Sequence, residues 1–158
     1  MTTDSLAISN EKAESISDDL IEGKSTCKEI IETVISSLEQ NDSAMVSHTE
    51  RGYLWRFQYG SVEVFVQLTG EEDEDLLTVW ATVLQLPVKN ETGLMQKLLE
   101  MNWSGTYEAC FGTLNGQVVA LLQRTIADIA PGEISRAITL VATPVSYTHL
   151  TLPTKRIV

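Results

Sequence analysis

Between residues 26 and 41 apolar side chains return every three or four positions. Cys27, Ile30, Ile31, Val34, Ile35 and Leu38 fall on one face. Glu29, Glu32, Ser36, Ser37 and Glu39 fall on or near the other. That period predicts an amphipathic helix. Thr26 and Glu29 have capping-box spacing, which satisfies free N–H groups at the helix start. The period then drops to two. Tyr53, Trp55, Phe57 and Tyr59 alternate with Arg56 and Gln58, and Gly60-Ser61 permits a tight turn. Val62, Val64, Val66 and Leu68 share one face of the next segment, and Glu63, Phe65 and Gln67 share the other. Alternation with β-branched and aromatic residues is a strand signal. A short extended lead-in is expected at residues 44–48.

A charged turn, Gly70 followed by Glu71 to Asp75, leads into a long alternating run from Leu76 to Leu86 that Pro87 ends. A second helix is expected through Asn102, capped by Asn90 or Thr92, with Leu94, Met95, Leu98, Leu99 and Met101 apolar. Residues 107–114 and 117–126 read as two strands around Asn115-Gly116, the strongest short hairpin signal because both positions tolerate positive φ. Pro131 opens a third helix with Ile134, Ala137, Ile138 and Val141 as its stripe. The order α-β-β-β-α-β-β-α predicts one α+β domain with an antiparallel sheet.

The two ends of the chain read differently. Residues 1–23 are rich in Ser, Asp and Glu, with a weak stripe of Ala13, Ile16, Leu20 and Ile21. A mobile N-terminal arm is expected there. It has neither a basic start nor an apolar core, so it does not read as a secretory signal, and the cytoplasm is the expected location. Residues 145–154, VSYTHLTLPT, resemble an in-frame translation of the transposon-end adapter used in tagmentation sequencing libraries. Residues 144–158 are therefore read as a non-native tail that cuts the last helix short, and 24–143 as the domain. His48 is then the one native histidine.

Charge narrows the classes of function. The 158 residues carry 22 acids and 11 bases, a net charge of −11. Such a chain repels a phosphate backbone, so nucleic-acid binding is not expected. The imbalance sits in residues 1–75, with 17 acids against five bases. It either keeps that region soluble or steers a basic partner. No apolar run is long enough to span a membrane.

Candidate chemistry is sparse. Nucleophilic catalysis needs a base beside the nucleophile, and His48 has no nucleophile motif near it. Cys27 and Cys110 sit at apolar-facing positions and read as reduced core residues. Neither a Cys-x-x-Cys nor a histidine pair is present, so no metal site is expected. Five adjacent acids at 71–75 lack the spacing of a calcium loop and read as a solvated turn. No glycine-rich phosphate loop follows a strand. No cofactor is expected, and the chain does not read as an enzyme. If helices cover one sheet face only, Arg56, Phe65 and Trp80 stand on the other. Exposed aromatic and arginine side chains would mark a partner-binding face there; packing in the core is the plainer reading of each residue alone.

The stretches GYLWRFQYGSVEVFVQL, LLTVWATVLQLPV, ETGLMQKLLEMN, YEACFGTLNGQVVALLQRTI and the helix after PGEIS resemble the YbjN-domain family, with LLEMN followed by F-x-x-x-x-G. The resemblance covers about residues 22–143, and the chain is similar to the cyanobacterial branch. It implies the fold of bacterial type III secretion chaperones, which are small, acidic, usually dimeric proteins that hold a segment of a client. The family is also labelled a sensory transduction regulator. The expected function is a chaperone-like or adaptor domain, a homodimer, binding a protein or peptide client. The alternative is a regulator that senses a small ligand in a sheet–helix pocket.

Overall fold

The computed structural model describes residues 25–39, 43–106 and 108–151, with backbone alone for 144–151. The arm expected over residues 1–23 lies outside the described residues. The elements are α1 (Cys27–Leu38), β1 (Met45–Thr49), β2 (Gly52–Tyr59), β3 (Val62–Leu68), β4 (Leu76–Gln85), α2 (Glu91–Ser104), β5 (Cys110–Leu114), β6 (Gln117–Thr125) and α3 (Pro131–Thr151). All six strands pair antiparallel in the order β1-β2-β3-β4-β6-β5. The expected α+β order is present, and the extended lead-in is a full edge strand, β1. The hairpin enters the sheet with β6 beside β4, which leaves β5 as the other edge.

Local chemistry accounts for the turns and caps. Asn115 and Gly116 have φ of 50° and 76°, the left-handed pair that a two-residue hairpin needs. Gly52 has φ of 103°, and a Cβ there would lie 2.0 Å from the Leu68 carbonyl oxygen, so no other residue fits that strand start. At α1 the capping box is formed in both directions: the Glu29 N–H donates to Thr26 Oγ1 and the Thr26 N–H to Glu29 Oε2, each at 3.2 Å. Asn90 caps α2 by accepting from the Gly93 N–H at 3.2 Å.

The acidic run is more than a solvated turn. Glu71 Oε2 accepts from the Cys27 N–H at 3.0 Å and Glu71 Oε1 from the Lys28 N–H at 3.2 Å. A carboxylate at a helix N-terminus meets unpaired N–H groups and the positive end of the helix dipole. Asp75 closes the same turn, accepting from Thr69 Oγ1 and from the Glu72 N–H at 2.9 and 3.0 Å.

One face of the sheet is covered. The strands point Trp55, Phe57, Val64, Val66, Leu68, Val79, Ala81, Val118, Ala120 and Leu122 into it, all buried. Helix α3 lies across β3, β4 and β6 and packs against α1, which reaches β2. Ile134, Ala137, Ile138 and Val141 of α3 and Ile31, Val34 and Ile35 of α1 close this core. Helix α2 packs along β5, at the side of the sheet.

Two expectations need correction. Helix α3 runs through Pro144 to Thr151 rather than stopping near 143. Its first thirteen residues are already helical, and extending a formed helix is far easier than starting one. Cys27 is buried as expected, but Cys110 is exposed. The pleat turns Phe111 inward on β5, so its neighbour Cys110 points out.

Candidate functional site

The outward positions of the strands form the second face of the sheet, and no helix of the described residues lies over its centre. Registers place one residue from each strand in line. Met45 is opposite Arg56, Arg56 opposite Phe65, Phe65 opposite Trp80, Trp80 opposite Leu121, and Leu121 opposite Cys110. The three residues singled out in the sequence, Arg56, Phe65 and Trp80, are therefore immediate neighbours in the middle of this row. With strands ~4.8 Å apart, the row is about 24 Å long.

Its centre is a stacked aromatic pair. The Phe65 and Trp80 ring centroids are 5.3 Å apart with the planes 9° from parallel. Both rings are half-buried, and each shields the other. Such a pair adds about 0.5–1.5 kcal/mol beyond its buried area. Arg56 Nε lies 2.8 Å from Glu63 Oε1, with both side chains well exposed, so the ion pair is worth ~1 kcal/mol or less. It holds the guanidinium beside Phe65 without burying it. A cavity of about 330 Å³ adjoins this centre, lined by Ser61, Glu63, Phe65, Thr82, Gln85 and Gln117. Leu54, Gln67, Thr78 and Gln123 flank the row on the other side. The face is thus apolar along its midline except at Arg56, and mostly uncharged at its margins. It can hold a segment by burying apolar side chains and by amide and hydroxyl hydrogen bonds.

His48 stacks on Tyr53, with ring centroids 4.4 Å apart, at the β1–β2 edge. The Cys27 thiol is pushed up to about 11, first by burial and then by the nearby Glu71 carboxylate, with Arg124 acting in the opposite direction. A thiol at a helix N-terminus is ordinarily made more acidic; here burial wins. Among the described residues no group of three or more His, Cys, Asp or Glu side chains could hold a metal ion. No helix among them is long and apolar enough to cross a membrane.

A second surface escaped the sequence reading. Leu99, one of the apolar positions of α2, is exposed, and so is Trp103. Leu94 and Leu98 are the residues α2 buries. Asn102 fixes the helix to β5: its Oδ1 accepts from the Phe111 N–H at 2.7 Å, and its Nδ2 donates to the Phe111 carbonyl at 3.4 Å. The spacing of Met95, Leu99 and Trp103 at i, i+4 and i+8 could have revealed a second stripe, one more than an edge helix needs.

Among the described residues a helix layer lies on one side of an antiparallel sheet and an aromatic-centred face without a helix lies on the other; this is an α+β protein with the fold of type III secretion chaperones. One solved structure carries the same fold. A chain of the "Crystal Structure of the ExsC-ExsE Complex" superposes with a TM-score of 0.60 at 19% identity, over 79% of this chain and 92% of that one. A chain of the heterodimeric ExoU-SpcU complex from the type III secretion system of Pseudomonas aeruginosa gives a TM-score of 0.44 at 14% identity, over 77% and 96%. No curated protein matches in sequence. The chain belongs to the YbjN family, whose sequence model, described as "Putative bacterial sensory transduction regulator", matches residues 28–146.

Proposed function

We propose that this chain is a non-enzymatic chaperone-like or adaptor domain of the cytoplasm, working as a homodimer, that holds a protein or peptide segment against the open face of its sheet. The carrying observation is the unbroken row from Met45 through Arg56, Phe65, Trp80 and Leu121 to Cys110. Phe65 and Trp80 supply the apolar anchor, and Arg56 supplies a charged hydrogen-bond donor beside it. Aromatic and arginine anchors of this kind carry most of the energy in protein interfaces. The functional unit is residues 24–143, and residues 144–158 contribute nothing to it. A regulator that acts by holding another protein needs no chemistry beyond this face.

The described seams between helices and sheet are small for the alternative reading, a ligand held between helix and sheet. The cavity between α1 and β1–β2 holds about 110 Å³, and the one between α2 and β5 about 230 Å³. Small-molecule sites usually enclose ~300–1,000 Å³. The fold-level likeness to a chain of the ExsC-ExsE complex is in keeping with this reading.

The test is capture by the full tagged chain from lysate of the source cells, beside a Phe65→Ala/Trp80→Ala variant. The wild type retains a stoichiometric protein, and the variant loses it while its circular dichroism and cooperative melting persist. Equal capture by both chains, or a ligand-induced rise in Tm with no protein bound, overturns the proposal.

A further inference from the structure

The ladder of β3 with β4 ends at Val64 opposite Ala81, although β3 begins at Val62 and β4 runs on to Gln85. The pairing of β4 with β6 shifts register between Thr82 and Leu84, an irregularity of the kind that re-aims strand side chains. The space that opens at this corner of the open face is the cavity of about 330 Å³. Its polar and aromatic walls are Ser61 of the β2–β3 turn, Glu63 and Phe65 of β3, Thr82 and Gln85 of β4, and Gln117 of β6. Each polar wall can offer an oxygen as acceptor, one of them a carboxylate, and none is a cation.

We infer that this cavity takes an arginine side chain of the client, next to the apolar residue that Phe65 and Trp80 receive. The inference rests on the client-binding reading of the face and adds the chemistry of the segment held there. Charge selects a cation. A carboxylate has two oxygens and about four acceptor sites. Arg56 Nε approaches one of those oxygens, Glu63 Oε1, at 2.8 Å, and Arg56 is not among the walls. Glu63 can therefore serve a second cation from the cavity side. The chain around it carries −11, so a basic segment is steered in and an acidic one is turned away.

Shape selects arginine among the cations. A guanidinium is planar, carries five donors in a fixed fork and lies flat on aromatic rings. Phe65 supplies a half-buried ring, and the acceptors stand around it on three strands and a turn. Thr82 Oγ1 donates to Gln117 Oε1 at 3.1 Å, which ties two walls together before a client arrives and leaves the hydroxyl lone pairs for it. The ammonium of a lysine is a compact point charge and matches this spread of oxygens less well.

The test uses random peptides as probes. A displayed library of peptides about twelve residues long is selected on the full chain. Selected binders are resynthesised with the arginine replaced by lysine, glutamine or glutamate. Binders should carry an arginine a few residues from an apolar side chain. Fluorescence anisotropy should show glutamine weakening them about tenfold, through the lost ion pair and ring contact together. Lysine should cost less and glutamate more. Glu63→Gln should shrink the preference for arginine over glutamine to about twofold or less. Glu74→Gln removes the same charge from the exposed β3–β4 turn and should leave that preference as it was. Arg56→Gln should widen it, because Arg56 competes with the client for Glu63. All three variants should keep the circular dichroism of the wild type. Binders without a basic residue overturn the inference, as does lysine binding as tightly as arginine. So does an arginine preference that survives Glu63→Gln or falls equally with Glu74→Gln, or one that Arg56→Gln narrows. Free arginine that raises Tm saturably while no peptide is selected assigns the cavity to a small ligand and overturns it too. The client-binding reading fails separately, when binders are insensitive to Phe65→Ala/Trp80→Ala; no binder at all counts against both.

Discussion

The same strands present two faces that differ in kind. On the covered face Val64, Val66, Leu68, Leu77, Val79, Ala81, Val118 and Ala120 are fully buried. One residue along the chain, on the open face, stand Arg56, Phe65, Gln67, Thr78, Trp80 and Leu121, all partly exposed. The first set is mostly β-branched or small and fills space between sheet and helices. The second is larger, more polar and stacked upon itself. A face that only needed to be wet would have no use for a phenylalanine and a tryptophan at its centre. A face that only needed to be packed would not set an arginine among them. The contrast separates residues chosen for the fold from residues chosen for contact.

The largest expected effect comes from cutting into the covered face. Ile138→Ala, at the fully buried contact of α3 with the sheet, should lower unfolding free energy by ~2–5 kcal/mol in urea titration. A loss below 1 kcal/mol would mean that α3 is not seated on the sheet. On the open face, Phe65→Ala and Trp80→Ala should each cost less than Ile138→Ala. Their double-mutant cycle should return a coupling of about 0.5–1.5 kcal/mol from the stacked rings. A coupling of zero would break the pair as a unit, and a loss as large as at Ile138 would move both residues into the core. The smallest effect on stability separates the two cysteines. A thiol reagent should label Cys110, on the open face, in the native chain, and leave Cys27 untouched until denaturant is added. Cys27 is buried, and its thiolate forms only as the pH nears about 11. Native-state mass spectrometry after timed labelling reads both.

Much of this was legible in the residues, for reasons that can be named. The alternation in β3 and β4 is strict, so one sheet face followed directly from the sequence. The Thr26/Glu29 capping box, Asn90 and Asn115-Gly116 each solve a local backbone problem, and local problems are visible in one dimension. The row through Arg56, Phe65 and Trp80 was foreseen as a group because all three occupy outward parity. Strand β1 was harder to read, since all five of its residues are exposed and no buried face stamps a period on it. The bond from Glu71 to α1 joins positions 44 residues apart. No local pattern could announce it, and the acidic run concealed it. The exposure of Leu99 has no signal in the sequence because α2 is apolar on two stripes, and spacing alone does not tell which of them meets β5. Cys110 was misplaced for a similar reason: its neighbours are apolar, and one step of parity decides which of them faces the core.

The two hydrogen bonds from Glu71 also have a mechanical consequence. They bolt the first turn of α1 to the turn between β3 and β4, one carboxylate oxygen to each of two successive N–H groups. A pull on the chain at Ser25 therefore loads both bonds together and passes into two paired strands behind them, instead of peeling the helix one turn at a time.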